Sequence, residues 1–598
     1  MSQLNLMKPT DEKLYKKIDW QMLRRLLGYL RPYRRYIAYA LTLAVISSAL
    51  MPVRPVIFRW AIDDFVVTGN KQGLLGAVML VFGVLAVSAL LQFGLSYLMQ
   101  WVGQKVLLDI RISVFRHIQQ FALKVFDTTP VGRLITRVTN DVEALNELFS
   151  SGVVLMISDI LLVTWIVGYM FMENWKLALL TILALPLLLT ATSIFRKKVR
   201  AVYSKIRHEV ATMNSFLNEY LTGISTVQLF SLQRAKFNRF DAVNARHRDY
   251  QRRSVLYYAV FFPVVEIISA LALTVILWYS ARNIFSGEMT IGLIVAFAQF
   301  VEMFFRPIRD LTEKYNTLQS AMAASERIFA LLDDNRRIED KPNAVEFGGL
   351  TDSIEFRNVD FSYDGRKSVL KNVSFTVKKG QTVAIVGATG AGKTSIINLL
   401  CRFYEFQGGD ILFDGQSIRD FNQDSLRSRI ALVLQDVFLF SRSAHENITM
   451  GNSQVSEQDV KNAATAIGAD DFIERLPEKY NTQIRERGSN LSVGQKQLIS
   501  FARALAINPD ILILDEATSS VDAETEQLIE ESIARLLKGR SSIVIAHRLS
   551  TVQRADVIIA MHQGEIREIG SHSELLAANG LYAKLYRYQY GISRRTAA

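Results

Sequence analysis

The sequence predicts a multidomain membrane protein, six membrane-crossing helices followed by an α/β ATPase domain built on a P-loop. Three observations predict it. Apolar residues make up 50% of the 598-residue chain and its mean hydropathy is +0.16, more than a soluble multidomain enzyme needs. Six apolar stretches in the first half are each long enough to cross ~30 Å of hydrocarbon. In the second half Gly387, Ala388, Thr389, Gly390, Ala391, Gly392, Lys393 and Thr394 read GATGAGKT, between an apolar run at 383–386 and a helix-like run at 395–400. A G-x-x-x-x-G-K-[ST] match in strand–turn–helix context is a triphosphate site. The glycines let backbone N–H groups close around a β-phosphate, and the helix N-terminus adds partial positive charge. Lys393 reaches the β and γ oxygens there, and the Thr394 hydroxyl holds Mg2+.

The net charge of +12 would suit nucleic acid, but the cations cluster beside apolar segments. That placement predicts positive-inside topology and contact with anionic membrane lipids, with no nucleic-acid partner. The single Cys401 excludes an intrachain disulfide and suits a reducing cytoplasm. Residues 1–17 are polar, with no apolar core of a cleaved signal peptide, so the first span is expected to act as the membrane address.

Taken in order, Trp20, Leu23, Leu26, Leu27 and Leu30 recur at helical spacing while Arg24, Arg25 and Arg31 take other positions. This predicts an amphipathic helix lying at the inner interface and ending near Pro32. The six spans are expected near 36–58, 74–99, 153–171, 175–194, 255–279 and 291–305. Connections after the first, third and fifth are short. Those after the second and fourth run to about 50–60 residues and carry basic clusters such as Arg196, Lys197 and Lys198, which places them and the N-terminus in the cytoplasm. Loops of that length are seldom unstructured. Both read as helices folded back on themselves, with tips near 128–133 and 222–226. About 25 residues at 1.5 Å each carry such a tip some 35–40 Å below the membrane. Levers of that length imply mechanical coupling to the second half.

Ionisable side chains inside spans are costly and are functional candidates by default. Asp159, Glu266 and Glu302 qualify; each either meets a cationic substrate or serves a structural pair or an interfacial position. Phe297, Phe300 and Phe304 share a helix face, read as core packing with an aromatic ligand wall as the alternative. Domain boundaries are expected at 1–332 for the membrane domain, 333–350 for a linker and 351–598 for the nucleotide-binding domain. Within the last, the buried strand 511–514 ends in Asp515 and Glu516, suited to the Mg2+ shell and to polarising an attacking water. His547 ends another apolar strand, where it either holds the γ-phosphate or is structural. Tyr363 is placed to stack on adenine.

These pieces together resemble the ABC transporter family, of the exporter type with a membrane domain fused ahead of its ATPase. The resemblance rests on Tyr363, the GATGAGKT run, Gln435 in Leu434-Gln435-Asp436, LSVGQ at 491–495, ILILDE at 511–516, Ser519-Ser520-Val521-Asp522 and His547. Glu486-Arg487-Gly488 and Phe126-Asp127 with Gly132-Arg133-Leu134 extend it to an exporter X-loop and a first coupling helix. It implies ATP with Mg2+, and two ATPase domains closing head to tail over two nucleotides. Each site would take the P-loop with Ser395, Lys393, Gln435, Asp515, Glu516 and His547 from one subunit, Thr394, Gln435 and Asp515 serving the metal. Ser492, Gly494 and Gln495 would come from the other, with Asp522 between them. ATP binding would turn the membrane halves outward and hydrolysis would reset them. The function so implied is ATP-driven export of hydrophobic or amphipathic substrates, drugs or lipids, from a cell membrane with the ATPase cytoplasmic. A nucleotide-gated channel or regulator on the same scaffold is the alternative.

This sequence departs from the family pattern at two places. Val493 replaces the first glycine of the usual LSGGQ, where a β-branched side chain is expected to restrict the backbone approach to phosphate. Arg485 stands where exporters usually have glycine. One altered signature beside an intact catalytic set implies a heterodimer with a different half-transporter, the homodimer being the alternative.

Overall fold

The computed structural model describes residues 19–284, 289–515, 523–546 and 548–590. They fall into two compact units, the first drawn from within 1–118 and 132–334, the second from within 119–131 and 335–598.

The first unit is helical. It opens with α1 (Trp20–Gly28), capped by Asp19, whose carboxylate accepts from the Gln21 and Met22 amides. Then come α2 (Arg34–Leu50), α3 (Val53–Trp60) and α4 (Lys71–Gln119). In the second unit the chain forms α5 (Leu123–Thr128), and from there α6 (Val131–Thr136) leads back to the first. The run continues through α7 (Val142–Glu147), α8 (Val153–Glu173), α9 (Trp175–Leu183), α10 (Leu185–Thr222), α11 (Ile224–Leu229), α12 (Gln233–Ile284) and α13 (Ile291–Leu332). Among the described residues five helical stretches are long and apolar enough to cross a membrane: Arg31–Val66, Lys71–Gln119, Met156–Glu173, Trp175–Thr222 and Gln233–Ile284. The stretch expected as the sixth span opens α13.

Length separates these helices from ordinary spans. The 49 residues of α4 and 52 of α12 run about 74 and 78 Å, more than twice the hydrocarbon thickness. Their outer faces leave Phe82, Leu90, Phe93 and Trp278 exposed, as lipid-facing helices do. α10 lies along α12, forming the second arm. Its turn falls at Gly223, and the first arm breaks at Thr129, held extended (φ −119°, ψ 119°) by the proline that follows it. Phe297, Phe300, Phe304 and Phe305 are fully buried against Ile166, Leu177 and Ile276, so this aromatic face is packing core.

The second unit is α/β. A six-stranded sheet has the order β10-β9-β3-β8-β7-β6, with β3 (Thr382–Gly387), β6 (Ile430–Val433), β7 (Ile511–Asp515), β8 (Ser541–Ile545) and β9 (Val557–His562) parallel and β10 (Glu565–Gly570) antiparallel. Buried on both faces, β3, β7 and β8 are continuous apolar or small-residue runs. A smaller antiparallel sheet holds β1 (Ser353–Phe361), β2 (Leu370–Lys378), β4 (Gly408–Phe413) and β5 (Gln416–Ser417). The helix α14 (Lys393–Leu400) follows β3, with Ile396, Ile397, Leu399 and Leu400 in the core between the two sheets.

Candidate functional site

The central strand β3 ends at Gly387, and α14 begins after five intervening residues. Two glycines in that loop are required by geometry. Gly392 caps α14 in the left-handed region (φ +102°), and a Cβ there would lie 2.7 Å from Leu370 Cδ2. A Cβ on Gly387 would lie 2.5 Å from the Met561 carbonyl oxygen. The loop is thereby wrapped tightly enough to leave its amides around an open cradle at a helix N-terminus.

Lys393 is buried and folds back over this loop, its Nζ donating to the carbonyls of Gly387 (2.8 Å) and Ala388 (3.2 Å). Burial pulls its pKa below the usual lysine range, and the nearby Asp515 pulls the other way. A cleft of about 920 Å³ opens above the cradle, lined by Thr389, Gly390, Ala391, Gly392, Lys393, Thr394 and Ser395. Gln435, just past β6, and Asp515, at the end of β7, line its far wall. Tyr363 also lines it; its hydroxyl bonds Ser395 Oγ at 3.0 Å and accepts from Asn398 Nδ2 at 3.2 Å.

The cleft thus gathers ten of the residues singled out from sequence, with Gly387 and Ala388 as the carbonyls behind it. Glu516, Asp522 and His547 lie outside the described residues. Ser492, Gly494 and Gln495 do not line the cleft. They open the helix Val493–Ala506, where Ser492 and Gln495 form a reciprocal capping box. Val493 is the first residue of that helix, with ordinary right-handed geometry and a side chain 52% exposed. No glycine conformation is needed at this position, and what the valine adds is a projecting side chain. Arg487, in the loop before it, is left-handed (φ 53°), and the Arg485 amide donates to Asn490 Oδ1 at 2.9 Å.

Among the intramembrane acids, Asp159 forms an ion pair with Lys314 of α13, each side chain about a quarter exposed. This is the structural-pair alternative, with a lysine as partner. Glu266 and Glu302 are exposed on α12 and α13.

Sequence reasoning missed Lys367 and Gln563, from loops without a motif, and Lys371, from β2, in the cleft wall. It also missed Asn398, three residues after Ser395 and so on the same helix face. Tyr404, which packs edge-on to Tyr363 at 4.9 Å, carried no signal.

A membrane-embedded helical unit joined to a P-loop α/β unit defines an ATP-driven membrane transporter. The chain matches the ABC transporter transmembrane region over residues 37–308 and the ABC transporter family over 370–519. It is 40% identical over 586 residues to an uncharacterized ABC transporter ATP-binding protein, YknV, of Bacillus subtilis, covering 97% of this chain and 96% of that one. With an ATP-dependent lipid A-core flippase of Syntrophus aciditrophicus it shares 35% identity over 567 residues, 95% of this chain and 94% of the other. A solved bacterial Atm1-family ABC exporter with ATP bound superposes with a TM-score of 0.77 at 28% identity, covering 93% of this chain and 99% of that one. The chain belongs to the ABC transporter family. It is a multi-pass membrane exporter whose cytoplasmic C-terminal domain is an ATP hydrolase coupled to transport.

Proposed function

We propose that the cleft over the P-loop binds ATP with Mg2+ and that its turnover drives an amphipathic drug or lipid across the membrane. The observation carrying this is the convergence of Lys393, Thr394, Gln435 and Asp515 on one cleft that Tyr363 also lines. Thr394, Gln435 and Asp515 would hold Mg2+, which would neutralise phosphate charge. One carboxylate beside a hydroxyl and an amide suits a cation that takes its remaining ligands from water and phosphate. Lys393 neutralises the β and γ oxygens, the loop amides hold the β-phosphate, and Tyr363 stacks on the base. Glu516 takes the general-base role and His547 the γ-phosphate contact. Ser492, Gly494 and Gln495 serve the nucleotide of a second subunit, with Asp522 at the junction. Glu266 is proposed as a contact for the substrate, Asp159 being held in its pair with Lys314. The flippase relative supports a lipid-like substrate, and the exporter with ATP bound supports the nucleotide.

The test is Glu516→Gln in proteoliposomes. Hydrolysis and transport are expected to fall together by about 10²–10⁴-fold, the range for losing a general base, while ATP binding persists. Transport at wild-type speed in this variant would overturn the reading.

A further inference from the structure

The adenine-side wall of the cleft continues, through one buried tyrosine, into the arm segment that belongs to the ATPase unit. Tyr363 is tied at its hydroxyl to Ser395 and Asn398 of α14. With that end fixed, the ring's edge meets Tyr404 at 4.9 Å and 89° between planes, and Phe361 at 4.7 Å and 76°. Tyr404 itself is 6% exposed, and its hydroxyl donates to the Asp127 carboxylate in the last turn of α5. The same segment is held by Val125, which is buried, and by the Ala122 amide donating to the Arg336 carbonyl at 3.0 Å. The three rings lie 4.7–5.9 Å apart centre to centre, so a displacement of one presses on the next. The phenol–carboxylate bond is charge-assisted, the strong class of hydrogen bond. Burial and the facing carboxylate both push the Tyr404 hydroxyl upward, so it remains a proton donor at any physiological pH.

We propose that Tyr404 is a positioning residue that reports the nucleobase on Tyr363 to the arm helix α5 through Asp127. This rests on the reading of Tyr363 as the adenine platform. The phosphate end of the site is gripped by the P-loop and Lys393, which meet this chain of contacts at the Ser395–Tyr363 hydroxyl pair and not at Tyr404. The proposal therefore separates two signals: phosphate occupancy sensed by the loop, and base occupancy sensed by the arm.

Hydrogen exchange of the full-length protein in lipid nanodiscs tests it, using Mg2+ with either ATP or inorganic tripolyphosphate, which lacks the base. In the wild type, ATP is expected to slow exchange about fivefold in both 387–395 and 119–131, whereas tripolyphosphate slows it in 387–395 alone. Tyr404→Phe keeps the ring and removes the donor, and Asp127→Asn keeps an acceptor and removes the charge. In each, the response of 387–395 to ATP is expected to persist and that of 119–131 to drop at least threefold. Equal protection of 119–131 by tripolyphosphate and ATP overturns the proposal. So does an undiminished response of 119–131 in both variants, or a loss of the 387–395 response in both, since Tyr404 would then be a fold residue only. If ATP fails to protect 387–395 even in the wild type, the nucleotide cleft itself is wrong, a failure distinct from that of the relay.

Discussion

At the scale of single residues, the site depends on backbone that only certain side chains allow. Gly392 sits at φ +102°, with Leu370 Cδ2 at 2.7 Å and the Val369 carbonyl at 3.2 Å from the position of a Cβ. Gly392→Ala meets both a left-handed penalty of about 1–2 kcal/mol and a clash at the start of α14. Nucleotide affinity is expected to fall about tenfold or more, read by titration with a fluorescent ATP analogue. Gly390 is also left-handed (φ +80°), but a Cβ there meets nothing within 4 Å. Gly390→Ala is therefore expected to cost only the backbone term and to bind more tightly than Gly392→Ala; the reverse order would reject the packing argument. The glycine spacing of the P-loop was legible in sequence because its chemistry is local. The reason Gly392 in particular is needed was not, because Leu370 approaches from another strand.

At the scale of elements, the helical arms were legible from length and charge, since a loop of that size with helix-forming composition has few other solutions. What periodicity could not give is the pairing that holds them. Asp141 is 6% exposed at the end of a π-helical turn, Arg137–Asp141, and accepts from Arg137 and from Arg327 of α13. The partners are 4 and 186 residues away, and only the first leaves a trace in sequence. Lys314 opposite Asp159 is hidden for the same reason, the two being 155 residues apart. Burial would raise the Asp141 carboxyl, but the two guanidiniums outweigh it and hold it below the usual range. A depressed folded pKa contributes stability that is present above the unfolded value of about 4 and is lost as pH falls through the folded one. Asp141→Asn is expected to cost about 1–3 kcal/mol, less than a fully buried pair because both arginines are partly solvated. The gap in Tm between this variant and the wild type should be full at about pH 6 and should close below about pH 4. A gap independent of pH would mean that the carboxylate charge is not what pins the arm to α13.

At the scale of the whole molecule, the chain holds the parts of a nucleotide site in two separate places. The cleft has the P-loop wall, whereas Ser492, Gly494 and Gln495 open a different helix and do not line it. Members of this family bring those parts together between two ATPase domains, and the altered signature bears on which second domain is used. Because Val493 takes an ordinary helical conformation and is half exposed, it costs the fold little, and Val493→Gly is expected to leave Tm nearly unchanged. Its consequence falls on whatever phosphate that helix end approaches in the assembled pair, where the side chain fills space a glycine leaves open. If the partner is a different half-transporter with an unaltered signature, the two sites differ in grip. Vanadate trapping of labelled ATP then gives one retained nucleotide per complex, and Val493→Gly raises it towards two. Native mass spectrometry of the same preparation should show two unequal subunit masses. Two equal masses, with the same trapping before and after the substitution, would establish a homodimer in which the valine is tolerated at both sites, against the heterodimer that the altered signature implies.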